Sequence, residues 1–131
     1  MIIDHVEFPV SDAEASRRFY ESALAPLGIV RIITVGPDRS RSGGTRHGFG
    51  HGGYPSLWIH DNDPPATGMH VAFTAADRNA VDAFHAAALA AGGVDNGPPA
   101  VRLHYHSNYY AAYALGPDGV NVEAVCQHAP E

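Results

Sequence analysis

The chain opens on a short alternating segment, with Ile3, His5 and Glu7 on one side and Val6, Phe8 and Val10 on the other, which is the period of a half-buried strand. The period then changes. Ala15, Phe19, Ala23, Leu24 and Leu27 form an apolar stripe at helical spacing, and Ser11 with Glu14 has the spacing of a capping box that satisfies two free amides reciprocally. Gly28 stands where a left-handed stop belongs. Ile29 to Val35 is rich in β-branched residues and is broken by Gly36-Pro37-Asp38, while Ser56 to His60 reads as another strand before the Asp-Asn-Asp-Pro-Pro linker at 61–65. Residues 38–53, rich in Gly, Ser, Arg and His, read as a mobile loop around a less certain third strand.

The same series returns 65 residues later. Sliding the chain by that distance matches His5 with His70, Val6 with Val71, Phe8 with Phe73, Asp12 with Asp77, Ala15 with Ala80, Phe19 with Phe84, Ala23 with Ala88, Leu24 with Leu89 and Gly28 with Gly93. Chance would give roughly two matches over such a stretch. In the second copy Asp77 is the expected cap, Val81, Phe84, Ala88 and Leu89 form the stripe, and Gly92-Gly93 ends the helix. Tyr109 to Leu115 and Val120 to Cys126 flank Gly116-Pro117-Asp118-Gly119, a hairpin turn. The pattern predicts an α+β chain of two tandem β-α-β-β-β modules, about 1–63 and 66–128, within a single domain spanning 1–131.

Composition narrows the function. At 131 residues the chain is one domain's worth, and eight Lys+Arg against fourteen Asp+Glu give a net charge of -6, the wrong sign for tracking nucleic-acid phosphates. The single cysteine, Cys126, cannot form an internal disulfide and suits a reducing cytoplasm. No apolar run approaches the roughly 20 residues of a membrane span, and no charged-then-apolar signal segment opens the chain. Neither a nucleic-acid nor a membrane partner is expected. Nine histidines are the compositional oddity and invite a metal or proton-transfer reading.

The duplication selects two of them. His5 and His70 hold equivalent places near the starts of two related strands, and Glu123, between Val122 and Val125 in an otherwise apolar strand, is the outstanding third group. A carboxylate in such surroundings is costly unless something cationic or hydrogen-bonding meets it. Two imidazoles and one carboxylate hold a divalent first-row metal with coordination positions left open. The other possibility is that both histidines merely hydrogen-bond Glu123 or backbone, and spacing does not decide between the two.

Asp4-His5-Val6, Phe19-Tyr20, Gly68-Met69-His70-Val71-Ala72-Phe73 and the stretch from Tyr109 to Glu123 together resemble the vicinal oxygen chelate superfamily, which includes glyoxalase I, bleomycin-resistance proteins, fosfomycin-resistance thiol transferases and extradiol dioxygenases. The resemblance runs over nearly the whole chain and departs from the family at Gly116, where Asp is usual and whose change should loosen the turn. It implies curled mixed sheets around a metal-binding cleft with the helices outside, and His5, His70 and Glu123 as ligands of one divalent ion, Fe, Mn, Ni, Co or Zn. It also implies a small-molecule substrate and a homodimer, with the modules pairing within one chain or across two.

At the repeat offset Glu123 is equivalent to Trp58, which cannot ligate; glyoxalase I-like enzymes carry a fourth ligand around this strand, so the resemblance argues against that activity. His60, on the same strand face as Trp58, is the fallback ligand or catalytic group. Tyr109, Ala111 and Tyr113 share one face opposite Tyr110 and Ala112. Tyr113 matches a site-facing tyrosine of some thiol-transferase relatives and is expected to act as a donor, or else as a buried aromatic. Trp58, Tyr109, His104 and His106 are candidate pocket residues; His104 and His106 could supply a base or simply lie in an exposed loop. Arg46 or Arg102 could neutralise an anionic substrate, or be ordinary surface charges. The expected function is a divalent-metal-dependent enzyme, a lyase, thiol transferase or dioxygenase, binding its substrate through vicinal oxygens. The alternative is a metal-free protein of the bleomycin-resistance kind that sequesters its ligand.

Overall fold

A computed structural model describes residues 2–41 and 43–130; Ser42, inside the expected loop, lies outside the described residues. The chain runs β1 (Val6–Pro9), α1 (Ala13–Leu24) with a 3-10 turn (Ala25–Leu27), β2 (Val30–Val35), β3 (Arg46–His51) and β4 (Tyr54–His60), then β5 (His70–Thr74), α2 (Arg78–Ala90), β6 (Val94–Val101), β7 (Tyr110–Leu115), a 3-10 turn (Pro117–Gly119) and β8 (Asn121–Cys126). These form two four-stranded mixed sheets, ordered β1-β4-β3-β2 and β5-β8-β7-β6, curled but not closed, with the helices outside. The fold is α+β. No helix among the described residues is long and apolar enough to cross a membrane.

The strand register carries the duplication into three dimensions. Glu7 stands opposite Trp58 in the parallel β1–β4 pair, and Ala72 opposite Glu123 in the parallel β5–β8 pair. Gly48 likewise faces Trp58 as Tyr113 faces Glu123. The correspondence then slips by one at the helix ends. Gly28 and Gly92, not Gly93, hold the left-handed conformation, and the amides of Ile29 and Gly93 donate to the carbonyls of Leu24 and Ala88. The first copy spends an extra residue in its 3-10 turn, where Pro26 sits.

Several local expectations differ in the structure. The cap of α1 is Asp12, whose carboxylate accepts from the amides of Glu14 and Ala15; Ser11 instead gives its amide and hydroxyl to Asp118 at 2.9 and 2.6 Å. Asp77 caps α2 as the pattern predicts. Leu89 is exposed, whereas His85, without a place in the apolar stripe, is buried and meets Asp95 at 2.9 Å. The uncertain third strand is real and central. Strand β6 contains Gly97, Pro98 and Pro99, composition that reads as a loop, and exists because an edge strand tolerates residues that cannot donate to a ladder.

Both modules share one core. Phe8, Tyr20, Phe49 and Ile59 of the first are continuous with Val81, Phe84, Ala112 and Val122 of the second, and α1 packs on α2. Phe19 crosses between them. A Cβ on Gly93 would come 3.0 Å from its ring and one on Gly116 2.9 Å. Gly116 has φ of -87, so it serves no left-handed turn. Glycine stands where the resemblance leads one to expect Asp because the ring of Phe19 takes the space.

His47 is also buried. Its Nδ1 lies 2.8 Å from the Thr34 hydroxyl, which accepts from Arg31 at 2.9 Å, and its Nε2 is buried without a hydrogen-bond partner among the described residues. Burial, with Arg17 and Arg31 nearby, holds its pKa below the ordinary value of 6.5.

Two outcomes follow from these contacts. Gly116→Asp is expected to destabilise the protein by about 1–3 kcal/mol in urea unfolding, because it drives a side chain into Phe19. His47 takes up its proton more readily unfolded than folded, so its contribution is complete above the unfolded pKa of about 6.5 and is lost as pH falls below it and through the lower folded pKa. Unfolding midpoints across that window should fall less steeply in His47→Gln than in the wild type.

Candidate functional site

Strand β8 carries Glu123 between the buried residues Val122 and Ala124, and the register brings β5 and β7 to either side of it. Its carboxylate is 2% exposed. Oε1 lies 2.9 Å from Nε2 of His70, the first residue of β5, and Oε2 accepts the Tyr109 hydroxyl at 2.6 Å. No arginine pairs with it among the described residues. A buried anion is thus met by an imidazole and a phenol, both able to be neutral.

The strand alternation expected for Tyr109, Ala111 and Tyr113 appears directly. Tyr109 reaches Glu123, whereas Tyr110 points to the helix side and donates to Asp82 at 2.6 Å. The Tyr113 ring lies 6.2 Å from that of His70, centre to centre. Desolvation first, then Glu123, pushes both the Tyr109 and Tyr113 phenols above the ordinary value of 10. At neutral pH both are therefore hydrogen-bond donors, not bases.

His70 and Tyr113 open onto a depression whose wall includes Asn96, Gly97, Arg102, His104 and Asn121. The His104 ring stacks on Tyr105 at 4.1 Å, and Tyr105 on Tyr109 at 4.6 Å. His106 turns elsewhere: it meets Gln127 at 3.1 Å and accepts the amide of Asn108, with only its ring edge on Tyr109. The alternation argument missed Asn96, Tyr105 and Asn121. Asn121 had a usable signal, since it shares the strand face of Glu123 two residues on.

The first module presents a different surface. His5 lies just before β1, its Nδ1 held by Asp4 at 2.7 Å, and Asp4 also accepts the Tyr54 hydroxyl. Tyr54, then His5, hold the Asp4 carboxyl below its usual range. With Nδ1 anchored, the other ring nitrogen of His5 remains available. Trp58 sits where the second module has Glu123, under the Arg46 guanidinium at 4.4 Å, and Arg46 is clamped by both Glu7 oxygens at 2.9 and 3.1 Å. His60 lies beside Glu7 and Arg46 and accepts the amide of Asn62. Sequence-selected residues are thus brought together as His70, Glu123, Tyr109, Tyr113 and His104, while His5, Trp58 and His60 belong to the other sheet. Among the described residues no three His, Cys, Asp or Glu side chains of one chain gather in a set able to hold a metal ion.

Comparison with known proteins agrees with this architecture. The family model of the Glyoxalase/Bleomycin resistance protein/Dioxygenase superfamily matches residues 2–124. A glyoxalase/bleomycin resistance protein from Albidiferax ferrireducens is similar over 99% of this chain and 100% of its own, at 29% identity and a TM-score of 0.72. A glyoxylase/bleomycin resistance protein/dioxygenase domain from Frankia shares the fold at 17% identity and a TM-score of 0.73, over 98% of each chain. Glyoxalase I from Zea mays matches 97% of this chain over 44% of its own length, at 20% identity and a TM-score of 0.69. The chain therefore spans under half of that enzyme. No curated protein gives a match.

The surroundings of Glu123 make a stability prediction. In protein stripped of metal, Tyr109→Phe should cost about 1–3 kcal/mol by leaving one carboxylate oxygen buried and unbonded. Glu123→Gln should be neutral or stabilising by about 1 kcal/mol, since it removes the cost of burying a carboxylate and keeps an oxygen to accept the Tyr109 hydroxyl. Chemical denaturation of the two variants beside the wild type measures both.

Proposed function

The chain belongs to the Glyoxalase/Bleomycin resistance protein/Dioxygenase superfamily, and from that premise we propose that it is a divalent-metal-dependent enzyme acting on a small molecule held through adjacent oxygens. The observation that carries this reading is the pairing of Glu123 with His70. His70 Nε2 and Glu123 Oε1 lie 2.9 Å apart, and an imidazole with a carboxylate is a donor set that would hold an ion of Fe, Mn, Ni, Co or Zn; the charge of such an ion would offset the cost of burying the carboxylate.

His5 is the proposed third ligand. It occupies the strand position equivalent to that of His70 and has its Nδ1 anchored by Asp4, the arrangement that aims Nε2 outward. Because it lies on the other sheet, it would come from a second copy of the chain in a homodimer, with the first module of one protomer facing the second module of the other. A twofold axis would then complete two identical sites.

A bound divalent ion supplies Lewis-acid polarisation of a substrate oxygen. The protein's own groups set the rest. Tyr109 holds the Glu123 carboxylate in place, Tyr113 offers a protonated phenol to a substrate oxygen beside His70, and His104 is the imidazole of the depression free for proton transfer. His60 would stand on the opposing wall contributed by the second protomer, with Trp58 beside it.

The direct His70–Glu123 hydrogen bond also favours a second reading, in which the pair is satisfied without metal and the aromatic wall of Tyr105 and Tyr113 holds a sequestered ligand. Metal analysis of untagged protein separates the two. The enzyme reading expects stoichiometric metal, lost in His70→Ala and in Glu123→Ala; no metal in the wild type after exposure to each of the five ions would defeat it. Mixing and refolding His5→Ala with His70→Ala tests the shared site. Each variant alone should be empty, whereas hybrids regain one intact site, about a quarter of full occupancy at statistical mixing. No recovery would mean that all ligands come from one chain.

A further inference from the structure

The chain has eight arginines and no lysine; among the described residues Arg39, Arg41, Arg78 and Arg102 have no carboxylate partner, and of these Arg102 alone lines the depression that holds His70 and Tyr113. Arg17, Arg18, Arg31 and Arg46 are paired with carboxylates. Arg46, one of the two arginines the sequence offers for an anion, is already clamped bidentately by Glu7. Arg102, the other, has no carboxylate partner among the described residues. Its one hydrogen bond gives Nη2 to the carbonyl of Pro98 at 2.6 Å. The guanidinium carbon lies 5.3 Å from the centre of the Tyr113 ring, and that ring lies 6.2 Å from His70. Asp95, the nearest acid to feel its charge, is engaged by the Gly97 amide and His85 at 2.9 Å each.

The backbone is shaped around this placement. Gly97 adopts φ of +150, and a Cβ there would come 2.8 Å from Tyr113 Cδ2 and 3.1 Å from the Arg102 guanidinium. Glycine at this bulged point of β6 therefore lets tyrosine and arginine lie together against the strand. The remaining guanidinium N–H groups share the depression with His70, Tyr113 and Asn121.

We infer that Arg102 is an anion-recognition site and that the substrate carries a carboxylate beside the oxygens that chelate at His70 and Glu123. A guanidinium without a counter-ion, aligned on a tyrosine face, is a fork for a planar carboxylate. The stacking fixes the plane of the fork, and the Pro98 carbonyl fixes one edge. A net charge of -6 disfavours anions over most of the surface, while Arg102 favours them beside His70 and Tyr113.

The inference rests on the proposed chelating site, and the test keeps the two apart. Acetohydroxamic acid, a chelator without a carboxylate, and its analogue bearing a carboxylate on a short chain are titrated calorimetrically into wild type, Arg102→Gln, Arg102→Lys and Gly97→Ala, each loaded with Co(II). The wild type should prefer the carboxylate-bearing probe by roughly tenfold or more, as expected for a charge-assisted hydrogen-bonded pair. Arg102→Gln should lose that preference while binding acetohydroxamate within about twofold of the wild type, and Arg102→Lys should keep only part of it. Gly97→Ala should weaken the preference by displacing Arg102 and Tyr113. Equal affinity of wild type for both probes, or a preference unchanged in Arg102→Gln, overturns the anion site even if cobalt binds. If cobalt does not bind, the titration is repeated with Mn, Fe, Ni and Zn, and failure of all five ions overturns the chelating site instead; benzoate binding to metal-free wild type, lost in Arg102→Gln, then supports the anion site, and its persistence in that variant or absence in both overturns it.

Discussion

The two halves of the chain are joined on their helix side, and the contact that makes this possible is an aromatic ring seated against two glycines. Phe19 leaves the first module's helix and occupies the space above Gly93 and Gly116 of the second. Ser11, just ahead of that helix, is tied through its amide and hydroxyl to Asp118 in the turn after Gly116. Helix α1 then lies on α2, and the buried side chains of both halves form one core. With the modules locked along this seam, the faces of the two sheets away from the helices stay open. His5, just ahead of β1, and Glu123, on β8, belong to different sheets. A site that used both would need a second copy of the chain, so the packing that gives the protomer its stability also bears on how its chemistry would be assembled.

Duplication supplied two equivalent surfaces, and the residues that diverged made them opposites. Where the second module has Tyr113 facing Glu123, the first has Gly48 facing Trp58. The exchange of size is mutual: the indole fills the space above Gly48, just as Tyr113 rises beside a carboxylate that leaves room for it. Arg46 stacks on the indole and is held by Glu7, which turns that face into a closed ion pair. The second module instead buries Glu123 without an arginine beside it and leaves Arg102, on the same depression as His70, without a carboxylate. Burying a carboxylate in this way costs stability, and groups held in such surroundings cluster at functional sites.

What the sequence determined was the part of the structure written in short-range periodicity and in the repeat. Alternation placed β1, the helical stripe placed Phe19 and Phe84 inward, the Gly-Pro-Asp-Gly turn fixed the last hairpin, and the fixed offset put Trp58 where Glu123 stands in the other copy. Because strand geometry has period two, a correct strand assignment also separated Tyr109 and Tyr113 from Tyr110. Only the tertiary structure decided the rest. The spacing of Ser11 and Glu14 suggested a capping box, but Asp118, distant in sequence, takes Ser11 and leaves the cap to Asp12. Gly116 looked like a weakness in a turn, but it is the seat of Phe19. Strand β6 was hidden behind two prolines that only an edge position admits, and the burial of His47 depends on neighbours from other strands. The pairing of His70 with Glu123, the separation of His5 from both and the unpaired state of Arg102 were equally beyond reach. Each depends on distances between residues far apart along the chain, which local pattern does not encode and packing alone sets.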